Sequence, residues 1–391
     1  MLRHFHLFVA KFVIFSSWIT FITLNIGVLQ VRLEMLGVVA FALSHLLYSK
    51  SRIKFYRTAR RILEFFYIYS VAITIFLVNN WQLGVWIGLL YWFGLIILMV
   101  LPNDFDSISI LLHFHLRCSI IFGICNIVLW IALFFTSIFS FAGNLQTFSG
   151  LSREPNLLGS QALLSLILLS SRFYMKTKFL FLAQFLMCFC ILLSNTRAVW
   201  IATLIFILLY GRKRILLISY SVSLFTLMTL LYREVIVQSA ESNSDSIFYS
   251  IVHILDTGSG TGAYRAQILI DGANELLSNI PLLLLGHGFA SFPEYFPVDP
   301  VGNSGTYMFS GFFGLLFEVG LVGLIIMSLY FRFCFEKVYY RREIYVFLIA
   351  LFIVSSTTSP LWLVYPWLYF ALIMRANKWK HHFKTDSIED S

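Results

Sequence analysis

Apolar runs occupy most of this chain, and runs of such length leave few ways to fold. A helix of about 20 apolar residues crosses a hydrocarbon layer of roughly 30 Å, and inside lipid the backbone must satisfy its own hydrogen bonds. Runs of this kind lie near 6 to 28, 31 to 49, 62 to 79, 82 to 101, 112 to 137, 156 to 172, 178 to 194, 197 to 211, 214 to 232, 306 to 331, 343 to 358 and 360 to 375. They predict an all-α integral membrane protein: a polytopic bundle of about 12 transmembrane helices making one membrane domain over 1–391, with a single long loop at 233–303. Several runs are short, so tilt or partly inserted segments are expected. With 59% hydrophobic and 12% charged residues, the chain has more apolar surface than one water-soluble core of this size hides. The first run continues into a second without a small-residue cleavage site, so it reads as a span and not as a signal peptide.

Lys and Arg set the orientation. Lys50, Arg52, Lys54, Arg57, Arg60 and Arg61, then Arg172, Lys176 and Lys178, then Arg212, Lys213 and Arg214, then Arg332, Lys337, Arg341 and Arg342, and the tail with Arg375, Lys378, Lys380 and Lys384 all fall on one side if the helices alternate. That side is cytoplasmic, and both termini with it. Arg32, Arg153, Arg197, Arg233 and Arg265 are left outside or at the outer boundary. The net charge of +9 is then mainly an insertion signal with some attraction to anionic lipid, and it implies no nucleic-acid partner.

No metal centre is expected. Cys188 and Cys190 are two apart on a helix and face different ways, and no histidine is near. Cys118, Cys125 and Cys334 also read as apolar filler, and no disulfide framework spans the outer loops. Asn103 to Asp106 reads as a polar cytoplasmic turn, without the further acids a hard cation needs.

The segment 233–303 has room for an outward-facing site. It is acidic, with Glu234, Glu241, Asp245, Asp256, Asp271, Glu275, Glu294 and Asp299 against Arg233 and Arg265. Gly258 to Gly262 reads as a flexible turn. Residues 263–279 read as a short amphipathic helix lying on the outer membrane surface, with Ile268, Leu269, Ala273, Leu276 and Leu277 on one face and Asn279-Ile-Pro281 as its stop. Arg265 stands near the start of that helix, Arg153 just before the Pro155 that opens the sixth span, and Arg197 in the short connection between the seventh and eighth. An arginine offers a planar fork of donors suited to phosphate oxygens, and a diphosphate at a membrane surface needs several such donors to offset lost hydration. Snorkelling beside Trp200 is the plainer reading of Arg197.

The segments REPNLLG, SNTRAVWIA, TGAYRAQILIDGANELLSNIPLLLLGHGFASF and FEVGLVGL, in this order, resemble the O-antigen polymerase and ligase superfamily of bacterial envelope glycosyltransferases, over roughly residues 150 to 330. The resemblance implies a multi-pass enzyme of the bacterial inner membrane whose active site faces the periplasm. It implies undecaprenyl-diphosphate-linked glycans as donor and acceptor, membrane lipid as surroundings, a chain-length regulator as a possible partner, and no nucleotide or redox cofactor. It carries diphosphate-engaging roles onto Arg197 and Arg265, and onto Arg153 by a looser match. Ligases of the superfamily typically carry a histidine about eleven residues before the Gly-x-x-Gly that here is Gly320 to Gly323; counting back gives Phe309 and Ser310. The missing histidine favours a polymerase.

The general base stays open between His287, in Gly286-His-Gly288, and Glu154, while His253 lies earlier in the loop. Glu318, inside the tenth span, is a candidate for substrate binding because ionisable residues at that depth are costly. Phe292, Tyr295 and Phe296 suit either sugar stacking or interfacial anchoring. The rival classes are a lipid-linked glycan transporter, which should show internal repeats and helices broken near the midplane, and a noncatalytic scaffold, which needs no converging arginines.

Overall fold

In the computed structural model the described residues are 2–20, 22–26, 29–48, 57–139, 148–152, 154–174, 177–194, 196–210, 260–296, 310–335, 341–356, 361 and 363–378. They are overwhelmingly helical: α1 (Leu2–Ser16), α2 (Leu33–Tyr48), α3 (Arg57–Leu77), α4 (Trp81–Val100), α5 (Phe105–Phe139), α6 (Pro155–Leu169), α7 (Leu180–Leu193), α8 (Arg197–Tyr210), α9 (Gly260–Ser278), α10 (Ile280–Leu285), the single turn α11 (Phe292–Tyr295), α12 (Gly311–Phe335), α13 (Arg341–Ser355) and α14 (Val364–Lys378). Among the described residues, three helices contain a stretch long and apolar enough to cross a membrane, at Trp81–Val100, Phe105–Ala132 and Gly311–Cys334. The chain is a helical membrane protein.

The first run departs from expectation. Residues 6 to 28 do not form one helix; α1 ends at Ser16, and an antiparallel hairpin follows, β1 (Thr23–Ile26) on β2 (Leu29–Arg32). The hydroxyls of Ser16 and Ser17 donate back to the carbonyls of Val13 and Ile14 at 3.3 and 2.8 Å. Side chains that compete for the backbone in this way weaken a helix, and a short apolar run alone does not separate strand from helix.

Contacts between helix ends sort the bundle into two faces. At one, Arg3 lies 2.8 Å from Asp104, Arg375 donates to the Leu98 carbonyl at 2.8 Å, the Tyr174 hydroxyl donates to that of Leu112 at 3.0 Å, and Arg342 donates to that of Leu209. At the other, the Glu294 carboxylate accepts from the Asn79 N–H at 2.9 Å, and the Thr196 hydroxyl donates to the Asn156 side chain at 3.1 Å. Asp104 also accepts from the Ser107 N–H at 3.1 Å, so the Asn103 to Asp106 turn closes on itself and on Arg3.

Helix α6 sits at the centre, buried along its whole length from Leu157 to Leu169, and α14 is buried from Val364 to Arg375. A helix apolar on all sides belongs inside a bundle. The outer helices instead show large apolar side chains such as Phe8, Phe65, Ile68 and Phe76 on their free faces, as a surface in contact with lipid requires.

Candidate functional site

The polar residues at the face bearing Glu294 and Thr196 form two groups. The first is built on the start of α6. Pro155 occupies its first turn, where a missing N–H costs nothing, and Glu154 precedes it in extended backbone, half-buried at the positive end of the helix. Gly159 lets the α7–α8 corner approach: a Cβ there would meet the Ser194 side chain. In that corner the Ser194 hydroxyl donates to the Ile191 carbonyl at 2.8 Å, and the Trp200 indole N–H reaches the same carbonyl at 3.3 Å. Trp200 is therefore part of the corner and not only an interfacial anchor. Arg197 is the first residue of α8, beside Thr196 and hence beside Asn156 of α6.

The second group is built on an interrupted helix. Gly320 inside α12 has φ 64° and ψ −175°, a conformation essentially reserved for glycine, and the helix breaks there. The turn Gly286 to Ala290 packs into the break. The His287 N–H donates to the Phe317 carbonyl at 2.9 Å, and the Gly288 N–H donates to that of Glu318 at 2.8 Å. The Tyr69 hydroxyl stands 2.9 Å from the Leu285 carbonyl and 3.2 Å from that of Val319. The Thr74 hydroxyl accepts from the Phe289 N–H at 2.9 Å, and Glu318 Oε1 accepts from the Ala290 N–H at 3.2 Å. Gly286, Gly288 and Ala290 all have positive φ. For Ala290 that is strain, of the kind usually found where function over-determines the backbone. Every carbonyl from Phe317 to Val319 thus finds a donor outside its own helix.

His287 is not a solvated loop residue. It is 1% exposed, stacked on Phe317 with centroids 4.0 Å apart, and edge-on to Tyr295 at 4.6 Å. Its Nδ1 lies 3.2 Å from the Phe317 carbonyl, which makes Nδ1 the protonated nitrogen; Nε2 faces Glu275 Oε1 at 3.8 Å, beyond hydrogen-bond range. Burial holds the imidazole below its ordinary value, outweighing the Phe317 carbonyl and Glu275, which raise it. Phe292 and Phe296 pack with Phe317 in a small core that also takes Ile268 and Leu276. They are core residues here, neither sugar platforms nor interface anchors.

Helix α9 begins at Gly260, so part of the expected glycine turn is its first turn. Ile268 and Leu276 pack inward while Leu277 is 70% exposed, so the buried stripe is narrower than the sequence suggests. Asn279 then starts α10, its side-chain oxygen accepting from the Leu282 N–H.

Of the three arginines, Arg153 lies outside the described residues, and of Arg197 and Arg265 the backbone alone is described. Arg197 belongs to the first group; Arg265 is on α9, the helix that carries Glu275 toward His287. His253 and Phe309 lie outside the described residues. Ser310 caps α12, its carbonyl and hydroxyl accepting from the N–H groups of Gly314 and Phe313 at 2.6 and 3.4 Å. Tyr69 and Thr74 were not foreseen, since a lone hydroxyl in an apolar run gives no sign of what it binds.

Residues 182–328 match a family model described as O-antigen ligase. A search of curated proteins finds no match. The matched stretch runs from α7 through Arg197, α9 and the break in α12, and it supports the resemblance to the O-antigen polymerase and ligase superfamily over that part of the chain.

Proposed function

We propose that the chain, as a membrane enzyme of the O-antigen polymerase and ligase superfamily, joins undecaprenyl-diphosphate-linked oligosaccharide repeat units into a surface polysaccharide at the periplasmic face of the bacterial inner membrane. The observation that carries this reading is the interrupted helix α12. Within the segment matched to the family, main chain from a separate turn enters the break and buries Glu318 and His287 beside the helix that carries Arg265. Irregular backbone at such depth persists only where protein or a water-filled cavity surrounds it, and in membrane proteins it marks substrate sites.

In this reading an acceptor hydroxyl attacks the anomeric carbon of the donor, the bond from that carbon to the diphosphate oxygen breaks, and its electron pair leaves with the lipid diphosphate. Arg197 and Arg265, with Arg153 beside Glu154, offset the charge that grows on the leaving group. Glu154, half-buried at the outer start of α6, takes the proton of the attacking hydroxyl. His287 and Glu318 hold the turn: one has its Nδ1 committed to Phe317 and the other its carboxylate to Ala290. Polymerisation is preferred to ligation because no histidine stands at 309 or 310, and Ser310 is used as a helix cap.

The broken helix also favours a second reading, a transporter of lipid-linked glycan, since discontinuous helices are common there. Glycan laddering in a deletion strain complemented with wild type or Arg265→Ala separates the possibilities. Loss of the ladder with one repeat retained on the core supports a polymerase; a core without any repeat supports a ligase. Purified protein that moves labelled lipid across a vesicle but joins no repeats supports transport.

A further inference from the structure

The mechanism uses Nδ1 of His287 and leaves Nε2 idle. Among the described residues Nε2 has no hydrogen-bond partner, although the imidazole is completely enclosed. With the proton on Nδ1 and given to the Phe317 carbonyl, Nε2 presents a lone pair. The atom it faces, Glu275 Oε1 at 3.8 Å, is another acceptor. Two acceptors set against each other gain nothing, and a buried one left unpaired is costly, so the pair calls for a ligand that brings donors.

Tyr295 stands against the same imidazole. Its ring is nearly perpendicular to those of His287 and Phe317, with centroids 4.6 and 5.7 Å away. Phe292 and Phe296 of the same turn are 3% and 8% exposed, whereas Tyr295 is 42% exposed. It is also held in place. The adjacent Glu294 accepts from the N–H groups of Asn79 and Asn80 at 2.9 and 3.4 Å and from the Asn79 side-chain amide at 3.1 Å, which pins the single turn α11 to the α3–α4 corner. A turn so short has little stability of its own, so these bonds set the position of the ring. Carboxylates beside an exposed ring are ill suited to lipid. They suit a ligand with an apolar face and a rim of hydroxyls, which is the chemistry of a sugar ring.

We propose that Tyr295, Glu275 and Nε2 of His287 bind a sugar of the lipid-linked glycan: the C–H face of the ring lies on Tyr295, one hydroxyl donates to Glu275 and its neighbour donates to Nε2. This rests on the glycan-joining function proposed above. The Glu275 side chain, 37% exposed at the surface of α9, swings aside to admit the second hydroxyl. Arg265 lies ten residues earlier on the same helix, about 15 Å away along its axis. The subsite therefore reads the glycan at a distance from the departing diphosphate, and its loss raises KM while sparing kcat.

The test uses the full chain in nanodiscs at neutral pH, with lipid-linked repeat units extracted from polymerisation-deficient cells as substrate and the lipid-free repeat oligosaccharide as a binding probe. Tyr295→Leu keeps apolar surface but loses the ring; it should raise KM about tenfold, leave kcat within about twofold and weaken oligosaccharide binding to match, while Tyr295→Phe stays near wild type. Glu275→Gln sets an amide donor opposite Nε2, so its thermal midpoint should hold or rise while KM again rises about tenfold. A wild-type KM in Tyr295→Leu or in Glu275→Gln overturns the proposal, as does a loss confined to kcat. If Tyr295→Leu does not accumulate in the membrane, Glu275→Gln decides alone. Wild type that joins no repeats, yet binds the oligosaccharide through Tyr295 and Glu275, supports the subsite and counts against the joining reaction. Wild type that does neither overturns both.

Discussion

The Gly288 N–H donates to the Glu318 carbonyl at 2.8 Å, so that the main chain of one segment completes the hydrogen bonding of an interrupted membrane helix in another. A carbonyl exposed by such a break would cost several kcal/mol in lipid. Here the cost is met by backbone and by the hydroxyl of Tyr69, and the break becomes a fixed part of the fold.

Gly320→Ala tests that rigidity. A Cβ at this φ would crowd Gly286 N at 2.5 Å and the Leu285 carbonyl carbon at 2.6 Å. Backbone strain and overpacking together should cost about 2–4 kcal/mol. The measurement is the thermal midpoint and yield of monodisperse protein in detergent; an unchanged midpoint would mean that the break relaxes freely.

Glu318→Gln and Glu318→Ala should differ. Glutamine keeps an acceptor for the Ala290 N–H, whereas alanine leaves that buried donor unpaired at a cost of about 1–3 kcal/mol. We expect near-normal stability and transfer for the first and reduced stability for the second. Transfer abolished in a well-folded Glu318→Gln would move Glu318 from holding the turn to contacting substrate.

His287 should make the protein sensitive to mild acid. Its folded value is below the ordinary 6.5, chiefly through burial. The unfolded chain therefore takes up a proton that the folded chain refuses, and stability declines as pH falls below 6.5 toward the folded value. Unfolding of wild type and His287→Gln across pH 7.5 to 5 isolates this term; the wild-type curve should be the steeper, and parallel curves would refute it.

Arg197→Ala and Arg265→Ala should each reduce transfer by about 10²–10³-fold with normal protein levels, as expected on removing one donor from a developing anion. Lysine at either position keeps the charge but loses the fork, and should recover only part of the rate. Binding of undecaprenyl diphosphate to each variant, measured by native mass spectrometry, separates this from loss of fold.

Much of the helical framework was legible because it follows from apolar run length. The spans read near 82 to 101, 178 to 194 and 197 to 211 lie within a few residues of α4, α7 and α8. Pro155 and Glu154 also marked the start of α6 through ordinary end chemistry. The hairpin at Thr23 to Arg32 was not legible, since Leu24, Ile26, Leu29 and Val31 are as apolar as a helix requires. Nor was the break at Gly320. Its glycine resembles the one three residues later, and what sets its φ is the turn at Gly286 to Ala290, which meets it only in three dimensions. The enclosure of His287 was not legible for the same reason, since Phe317, on which it stacks, meets it only in three dimensions.

Helix α6 has no face left for lipid, and it carries Ser160, Gln161 and Ser165, each wholly buried. Gln161 donates to the Ser17 carbonyl at 2.8 Å, and Ser160 meets Tyr365 of the last helix. During synthesis Gln161 finds the Ser17 carbonyl already made, whereas Ser160 must wait in the bilayer for Tyr365. A chain halted before α14 would therefore leave Ser160 with the Leu157 carbonyl alone, and the packing of the central helix is completed only when the C-terminal helix arrives.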